Sequence, residues 1–582
     1  MKLVGISIIL FAGIMFAQSS VEKFTPQLNA VIDNSNQSEE LLVWVFFSDK
    51  GNETQNYFQK PSTVVSEKSL KRRAKVLSED KLITQTDLPV NQNYVDQLKS
   101  LGFQLKQKSK WFNGASGWAS KDELAQFAYL PFVKQLDIVY RFSKDNFEEE
   151  TQNDNSEELN QNLSKPEGTY SLNYGQSLTQ LNQITVPQVH DLGYTGDGVT
   201  ICLMDAGFDL WTTHQVFSSM NVLATWDFVN GDPDVENGSD MGEGSHGTAT
   251  LSLIGGFYEG QLIGPAYGAD FILAKTENTD SETPIEEDNW IAALEWADSI
   301  GVDITSTSLG YLDYDPPYPS YTWEDMDGNT AKITNGADYA VSIGIFVVNS
   351  AGNNGYDPSH NTLGAPADGD SVIAAGAVNS SGSRSSFSSV GPTVDGRIKP
   401  DLMAMGSNNY HACNWYSNCY GNGGGTSYSC PLIAGAAALL LQADPSLTPM
   451  QLAALMKNTA SKSTNPDNLY GWGIINTYAA VQSIVTGVNN TTETPEDFYL
   501  LQNYPNPFNP STKIRFAVPE KSNVKLYLHD ILGSEIALIL EEEVNPGITE
   551  IELNGSNLAS GVYLVRMIAN NYQQTIKISL LK

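Results

Sequence analysis

Three short segments of this chain place groups capable of nucleophilic and acid–base chemistry where the backbone would hold them. Val199 to Met204 (VTICLM) runs into Asp205-Ala206-Gly207, which sets a carboxylate at the carboxyl end of an apolar strand. Ser245-His246-Gly247-Thr248-Ala249-Thr250 sets an imidazole at the entry to a helix of small residues, and Gly423-Gly424-Gly425-Thr426-Ser427 sets a hydroxyl at the entry to another. A helix start gathers unpaired N–H groups and the positive end of the dipole, so an oxyanion forming beside Ser427 would meet ready donors. Taken alone, Ser427 reads as an N-cap serine. Set beside an imidazole that takes up a proton near neutral pH, and a carboxylate that fixes the imidazole tautomer, it reads as a nucleophile. A fourth segment, Val347 to Gly355, carries a buried strand into a glycine turn that exposes Asn353. Its amide could join the Ser427 N–H in binding an oxyanion, although an isolated Asn in such a stretch is also simply a turn former.

These groups need a scaffold that brings strand ends together. From about Tyr170 to Val485 the chain alternates strand and helix patterns: strands at 199–204, 271–275, 303–308, 344–349 and 371–377, helices at 249–254, 290–300, 432–442 and 448–459. That alternation implies an α/β fold with a parallel sheet, whose sites lie at the carboxyl ends of its strands. Upstream, residues 41–142 form a small α+β unit, with strands at Leu41–Phe47 and Val133–Tyr140. Its basic cluster Lys68, Lys71, Arg72 and Arg73 reads as a solvated helix face. Residues 145–168 are almost devoid of apolar side chains and read as an exposed linker suited to proteolytic processing. A second polar linker spans 488–497. The remaining 498–582 opens on Pro-rich turns and continues with period-two strands, the pattern of a small immunoglobulin-like β-sandwich.

Composition narrows the function classes. With 33 Lys+Arg against 67 Asp+Glu the chain carries a formal net charge of −34, which excludes a nucleic-acid phosphate backbone as partner. Residues 1–17 (MKLVGISIILFAGIMFA) read as a secretory signal peptide, and no later segment has the uninterrupted apolar length of a transmembrane helix. Of the four cysteines, Cys413 and Cys419 lie close together in a polar loop where an oxidising compartment would allow pairing. Cys202 and Cys430 read as small buried hydrophobes, and the absence of CxxC and HExxH spacings argues against a zinc site. His190, His360, His411 and His529 make poor competitors for His246, falling in a polar lead-in, in loops and in the tail. His214 reads as structural.

The segments DAG (205–207), HGTAT (246–250), SLG (308–310), AGN (351–353), GAPA (364–367), KPD (399–401) and GTSYSCP (425–431) together resemble the subtilisin-like (subtilase, peptidase S8) serine proteases. They do so in order and across essentially the whole middle block, with mild departures at Ala206 and at Tyr428-Ser429-Cys430. The resemblance implies a three-layer parallel-sheet catalytic domain at 169–487 and a secreted serine endopeptidase acting through an acyl-enzyme. It implies Asp205, His246 and Ser427 as the triad and Asn353 as the oxyanion donor. Substrate would be bound by Ser308, Leu309, Gly310, Gly352, Gly364, Ala365 and Pro366. With Gly364 at its base, Leu309 on its wall and no obvious charge, that pocket is expected to prefer large apolar side chains. Residues 41–142 resemble the folded part of the family's inhibitory propeptide, which would span 18–168 with its acidic linker. The tail, with NYPNPFNP at its start and Leu558 to Tyr563 near its end, is similar to the type IX secretion sorting domain, which implies delivery outside the cell or to its outer surface. No cofactor is required for such chemistry. Structural Ca²⁺ is common in the family, and the acidic loop with Asp232, Asp234, Glu236 and Asp240 offers hard oxygen ligands, but it lacks EF-hand spacing and reads equally well as a solvated acidic loop. The rival readings are an inactive subtilase scaffold serving as a surface binding or adhesion protein, and a serine esterase. The intact triad argues against the first, the missing GxSxG elbow against the second.

Overall fold

The computed structural model describes residues 23–35, 40–51, 55–139, 170–237, 246–279, 285–312, 320–485, 498–501, 503, 508, 510–531, 533–570 and 572–580. The expected signal peptide, both polar linkers, Asp240 and most of the NYPNPFNP segment lie outside these residues. The chain divides into two compact units, 1–481 and 482–582.

Within the first unit, residues 23–139 form a four-stranded antiparallel sheet of order β2-β3-β1-β4, from β1 (Glu40–Phe47), β2 (Gln104–Ser109), β3 (Gly114–Ser120) and β4 (Val133–Ile138). The period of two in β1 sorts its side chains. Leu41, Val43 and Val45 enter a core with helices α2 (Gln92–Ser100) and α3 (Lys121–Tyr129), whereas Leu42 and Trp44 face Ile285 at the start of a helix in the middle block. The basic segment forms helix α1 (Glu67–Arg73), and here the solvated-face expectation fails. Arg72 and Arg73 are 2% and 0% exposed, because an aspartate more than two hundred residues later, Asp298, receives both guanidinium groups.

The middle block is a seven-stranded, all-parallel sheet of order β11-β10-β9-β8-β5-β7-β6, assembled from β5 (Thr200–Asp205), β6 (Asn221–Asp227), β7 (Asp270–Lys275), β8 (Ile304–Thr307), β9 (Phe346–Ser350), β10 (Ile373–Val378) and β11 (Leu402–Met405). Every residue of β5, β8, β9 and β10 is buried, as strands covered on both faces require. On one face Cys202, Met204, Ile272, Ala274 and Val347 pack with α5 (Ile285–Ile300) and α6 (Lys332–Ser342). Against the other face lie α4 (His246–Gly255) and α7 (Thr426–Ala443). Helix α7 is long and apolar enough by composition to cross a bilayer, but it is enclosed in this core.

The N-terminal sheet packs on α5. Trp44 Nε1 donates to Asp288 Oδ1 at 2.8 Å, and Gln107 Nε2 to Asn289 Oδ1 at 2.8 Å. The backbone N–H groups of Lys110 and Trp111 donate to the Glu295 carboxylate at 2.9 and 3.1 Å. Arg72 donates to the main-chain carbonyls of Val302 and Ile343, just beyond the ends of α5 and α6, and Arg73 pairs with both Asp87 and Asp298.

The second unit packs a three-stranded antiparallel sheet against a four-stranded one, built from β14 (Tyr499–Leu500), β15 (Ser511–Val518), β16 (Ser522–His529), β17 (Glu535–Val544), β18 (Gly547–Asn554), β19 (Gly561–Ala569) and β20 (Tyr572–Leu580). Ile514, Phe516 and Val518 of the smaller sheet share a core with Val524, Leu526, Val565 and Ile578 of the larger, making a β-sandwich.

Candidate active site

Asp205 terminates β5 and is buried, while His246 opens α4 and remains partly exposed. His246 Nδ1 lies 2.7 Å from Asp205 Oδ1. The same oxygen accepts the Ala206 N–H at 2.8 Å, and Oδ2 accepts the Thr250 hydroxyl at 2.9 Å. A carboxylate held by two further donors keeps its orientation, and a hydrogen bond at Nδ1 leaves the lone pair on Nε2. Thr250, one helical turn after His246, was not among the expected site residues. Its i, i+4 spacing from the histidine is the signal that marks it.

Ser427 is the second residue of α7. Gly425 precedes the helix at φ +141°, a conformation a side chain would strain, and a Cβ there would lie 3.4 Å from Asn353 Nδ2. Helix geometry gives the Ser427 N–H no intrahelical acceptor. Pro431 lies four residues later and has no N–H to offer the Ser427 carbonyl. The Ser308 hydroxyl replaces it, donating to Ser427 O at 2.9 Å, and the Ser427 hydroxyl donates in turn to Ser308 O at 3.1 Å. Reaching His246 therefore takes a rotation about the serine χ1. Asn353 is fixed through its carbonyl end: Oδ1 accepts both the N–H and the hydroxyl of Thr426 at 2.9 Å. Thr426 thus ties the amide to the residue beside Ser427.

The proposed substrate-binding segments are paired with each other. Tyr311 N–H donates to Ala365 O and Ala365 N–H to Tyr311 O, both at 2.9 Å, which sets Ser308-Leu309-Gly310 beside Gly364-Ala365-Pro366. Leu309 O accepts the Asn349 side-chain amide at 2.8 Å. Gly352, at φ +107°, would press a Cβ to 2.8 Å from Ser389 Oγ. Cys430 lies below this floor, its thiol pushed up to about 12 by burial, so it packs and does not react.

The acidic loop behaves differently. Asp232 and Asp234 accept local backbone N–H groups at 2.9 and 3.1 Å, and Glu236 accepts the Thr212 hydroxyl. Among the described residues no three His, Cys, Asp or Glu side chains converge as metal ligands. Two histidine placements, His190 and His411, differ from the sequence reading in detail, while His214 is structural as expected. His190 is buried against Tyr174 and Pro265 O, with burial lowering its pKa to about 4. His214 is buried and bonded to Cys419 O. His411 lies in a strand, edge-on to Tyr428, whose ring also meets His246.

Between β11 and α7 runs a hairpin of β12 (Asn409–Ala412) and β13 (Tyr420–Gly423), whose connecting loop is closed by a Cys413–Cys419 disulfide.

Comparison with known proteins adds three family matches. The subtilase family (peptidase S8) matches residues 196–473, the Bacteroidota peptidase S8 propeptide domain residues 42–158, and the secretion system C-terminal sorting domain residues 502–580. Subtilisin NAT of Bacillus subtilis subsp. natto is 35% identical over 312 residues, covering 53% of this chain and 72% of its own length. Subtilisin DY of Bacillus licheniformis is 33% identical over 299 residues, 51% of this chain and 96% of its own. A structure of the MycP3 protease from the type VII (ESX-3) secretion system aligns with 54% of this chain and 90% of its own at 21% identity and a TM-score of 0.43.

Proposed function

The chain belongs to the subtilase family of serine endopeptidases, and from that premise we propose that it is a zymogen whose Ser427, His246 and Asp205 hydrolyse peptide bonds through an acyl-enzyme. The observation that carries this reading is the 2.7 Å contact of His246 Nδ1 with a twice-supported Asp205 carboxylate. Ser427 Oγ attacks the substrate carbonyl while His246 Nε2 takes its proton. Asp205 holds the ring and steadies the imidazolium, and the proton passes from His246 to the leaving amine. The Ser427 N–H and Asn353 Nδ2 receive the oxyanion. Water then repeats the sequence on the acyl group and frees Ser427.

Ser308 to Gly310 and Gly364 to Pro366 would line the pocket for the residue before the scissile bond, which we assign to large apolar side chains. Residues 1–17 would direct export, 18–168 act as an intramolecular inhibitor released by cutting within 145–168, 169–487 perform catalysis, and 498–582, after the 488–497 linker, engage the type IX secretion machinery. The propeptide and sorting-domain matches support export to the cell surface or the medium. No cofactor enters the chemistry.

The test is fluorophosphonate labelling of the processed protein beside Ser427→Ala. Label on the wild type and none on the variant is expected, together with accumulation of the uncut precursor in the variant. Unlabelled, fully processed wild type would favour the binding-scaffold reading. A peptide panel cut best after Lys or Arg would refute the apolar pocket.

A further inference from the structure

The stapled hairpin carries Trp415 and Tyr416 at its tip, and they are among the most exposed large side chains in the described structure, at 81% and 59%. The hairpin supporting them is well anchored. Gln215 N–H donates to Ser417 O at 2.9 Å, His214 Nε2 meets Cys419 O at 2.9 Å, and Ala412 N–H donates to Ser252 Oγ at 2.9 Å. Two aromatic side chains held in water by a fixed support gain nothing for folding, and aromatic rings displayed in this way mark contact surfaces.

Their place relative to the chemistry follows from a short chain of bonds. Asn414, next to Trp415, donates to Asp209 Oδ2 at 2.9 Å. The main-chain carbonyl of Asp209 accepts the Thr248 hydroxyl at 2.8 Å, two residues along α4 from His246. The hairpin also packs on α4 itself. The tip is therefore tied to the helix that carries His246, whereas the Ser308–Gly310 and Gly364–Pro366 segments are tied to Ser427 and to each other. In acyl transfer, the amine that departs is the group the histidine protonates. The leaving half of a peptide substrate must consequently run past His246, in the direction of the hairpin.

We propose that Trp415 and Tyr416 form a substrate-binding surface for the leaving-group half of the polypeptide, selecting apolar or aromatic side chains beyond the residues that flank the scissile bond. This assignment rests on the proposed peptidase mechanism. The tip is bonded through Asn414 and Asp209 to the helix of His246, so the occupant proposed for it is the substrate chain itself.

Two substrates sharing one acyl half separate the roles: a p-nitroanilide, which has no leaving-group peptide, and a peptide extended by five residues containing Leu and Phe. In the matured enzyme, Trp415→Ala with Tyr416→Ala should lower kcat/KM for the extended peptide roughly tenfold, as loss of aromatic anchors does elsewhere, and leave anilide hydrolysis within about twofold. An extended peptide carrying only Gly and Ser in its leaving half should be indifferent to the substitutions. Equal losses on anilide and peptide, or no loss on either, overturn the assignment. A wild type that cleaves neither substrate sinks the proposed mechanism instead. The surface is then read by fluorescence anisotropy of the labelled leaving-half peptide, where equal affinity for wild type and variant overturns it.

Discussion

Asn353 is held by its oxygen so that its nitrogen is left for other work. Both hydrogen bonds from Thr426 go to Oδ1, and Nδ2 stands beside Gly425 at the entry to α7. Replacing Asn353 with Ala should lower kcat by roughly 10²- to 10³-fold with KM little changed, the cost known for removing such a donor in subtilisin. Steady-state kinetics on one good peptide substrate decides it, and a change confined to KM would move Asn353 out of the oxyanion role. At this scale the proposed site is what the sequence offers most directly, because such chemistry would restrict the residue types at 205, 246, 353 and 427. What it conceals is support. Thr250 and Thr426 are ordinary helix residues until Asp205 and Asn353 are seen to lean on them. Pro431 likewise explains the Ser308 hydroxyl only once its missing N–H is set against the carbonyl of Ser427.

Helix α5 is the element on which the N-terminal domain rests, and the contact is built from carboxyl groups. Asp288 receives Trp44 Nε1 and lies beside the buried Ser116 hydroxyl, and both donors favour its charged form. Burial pushes the Asp288 carboxyl up to about 7; Lys332 opposes that rise and Glu287 adds to it. Once the N-terminal domain leaves, Asp288 is uncovered and returns toward the ordinary aspartate value of about 3.9. The docked state thus binds a proton that the separated state gives up, so docking weakens by up to tenfold per pH unit between about 4 and about 7 and levels off above. Burial raises Glu295 in the same direction. On Asp298 burial also acts upward, but Arg72 and Arg73 outweigh it and hold the carboxyl below the usual range, so that contribution is lost only below about pH 4. Inhibition of the matured enzyme by added N-terminal domain should therefore tighten as pH falls from 7.5 to 5. The Asp288→Asn enzyme, fixed in the neutral form, should show a flatter profile, and an unchanged slope would refute the assignment. The strands beneath this helix were legible because β5, β7, β9 and β10 carry apolar runs and β8 (ITST) is rich in β-branched residues. Edge strand β6 (NVLATWD) and strand β17 (EIALILEEEV) were not, since mixed or acidic patterns hide pairing that only their neighbours specify. The burial of Arg72 and Arg73 was invisible for the same reason: Asp298 lies 226 and 225 residues away along the chain.

The whole molecule is two units, each with its own core, and this division predicts separable behaviour. Ending the chain before residue 488 should leave peptide hydrolysis by the catalytic unit unchanged while abolishing delivery to the cell surface. Fractionation of the producing cells, followed by activity assay, distinguishes the two. Surface delivery that survived the truncation would remove the tail from sorting. The N-terminal domain has no such independence, because α1 buries two arginines against α5 and α6. Its departure leaves the ends of those helices bearing Asp298 without its guanidinium partners and the carbonyls of Val302 and Ile343 without Arg72. The vacated face is an anionic landing site on a chain already carrying −34 charges, and the approaching domain presents Arg72, Arg73 and Lys110. Such an encounter is steered by long-range attraction and screened over about 8 Å at physiological salt. The recapture rate of released domain should therefore drop steeply as ionic strength rises, while its escape rate changes little. Stopped-flow measurements in dilute and concentrated salt would read this, so salinity would set how long a freshly cut molecule stays silent.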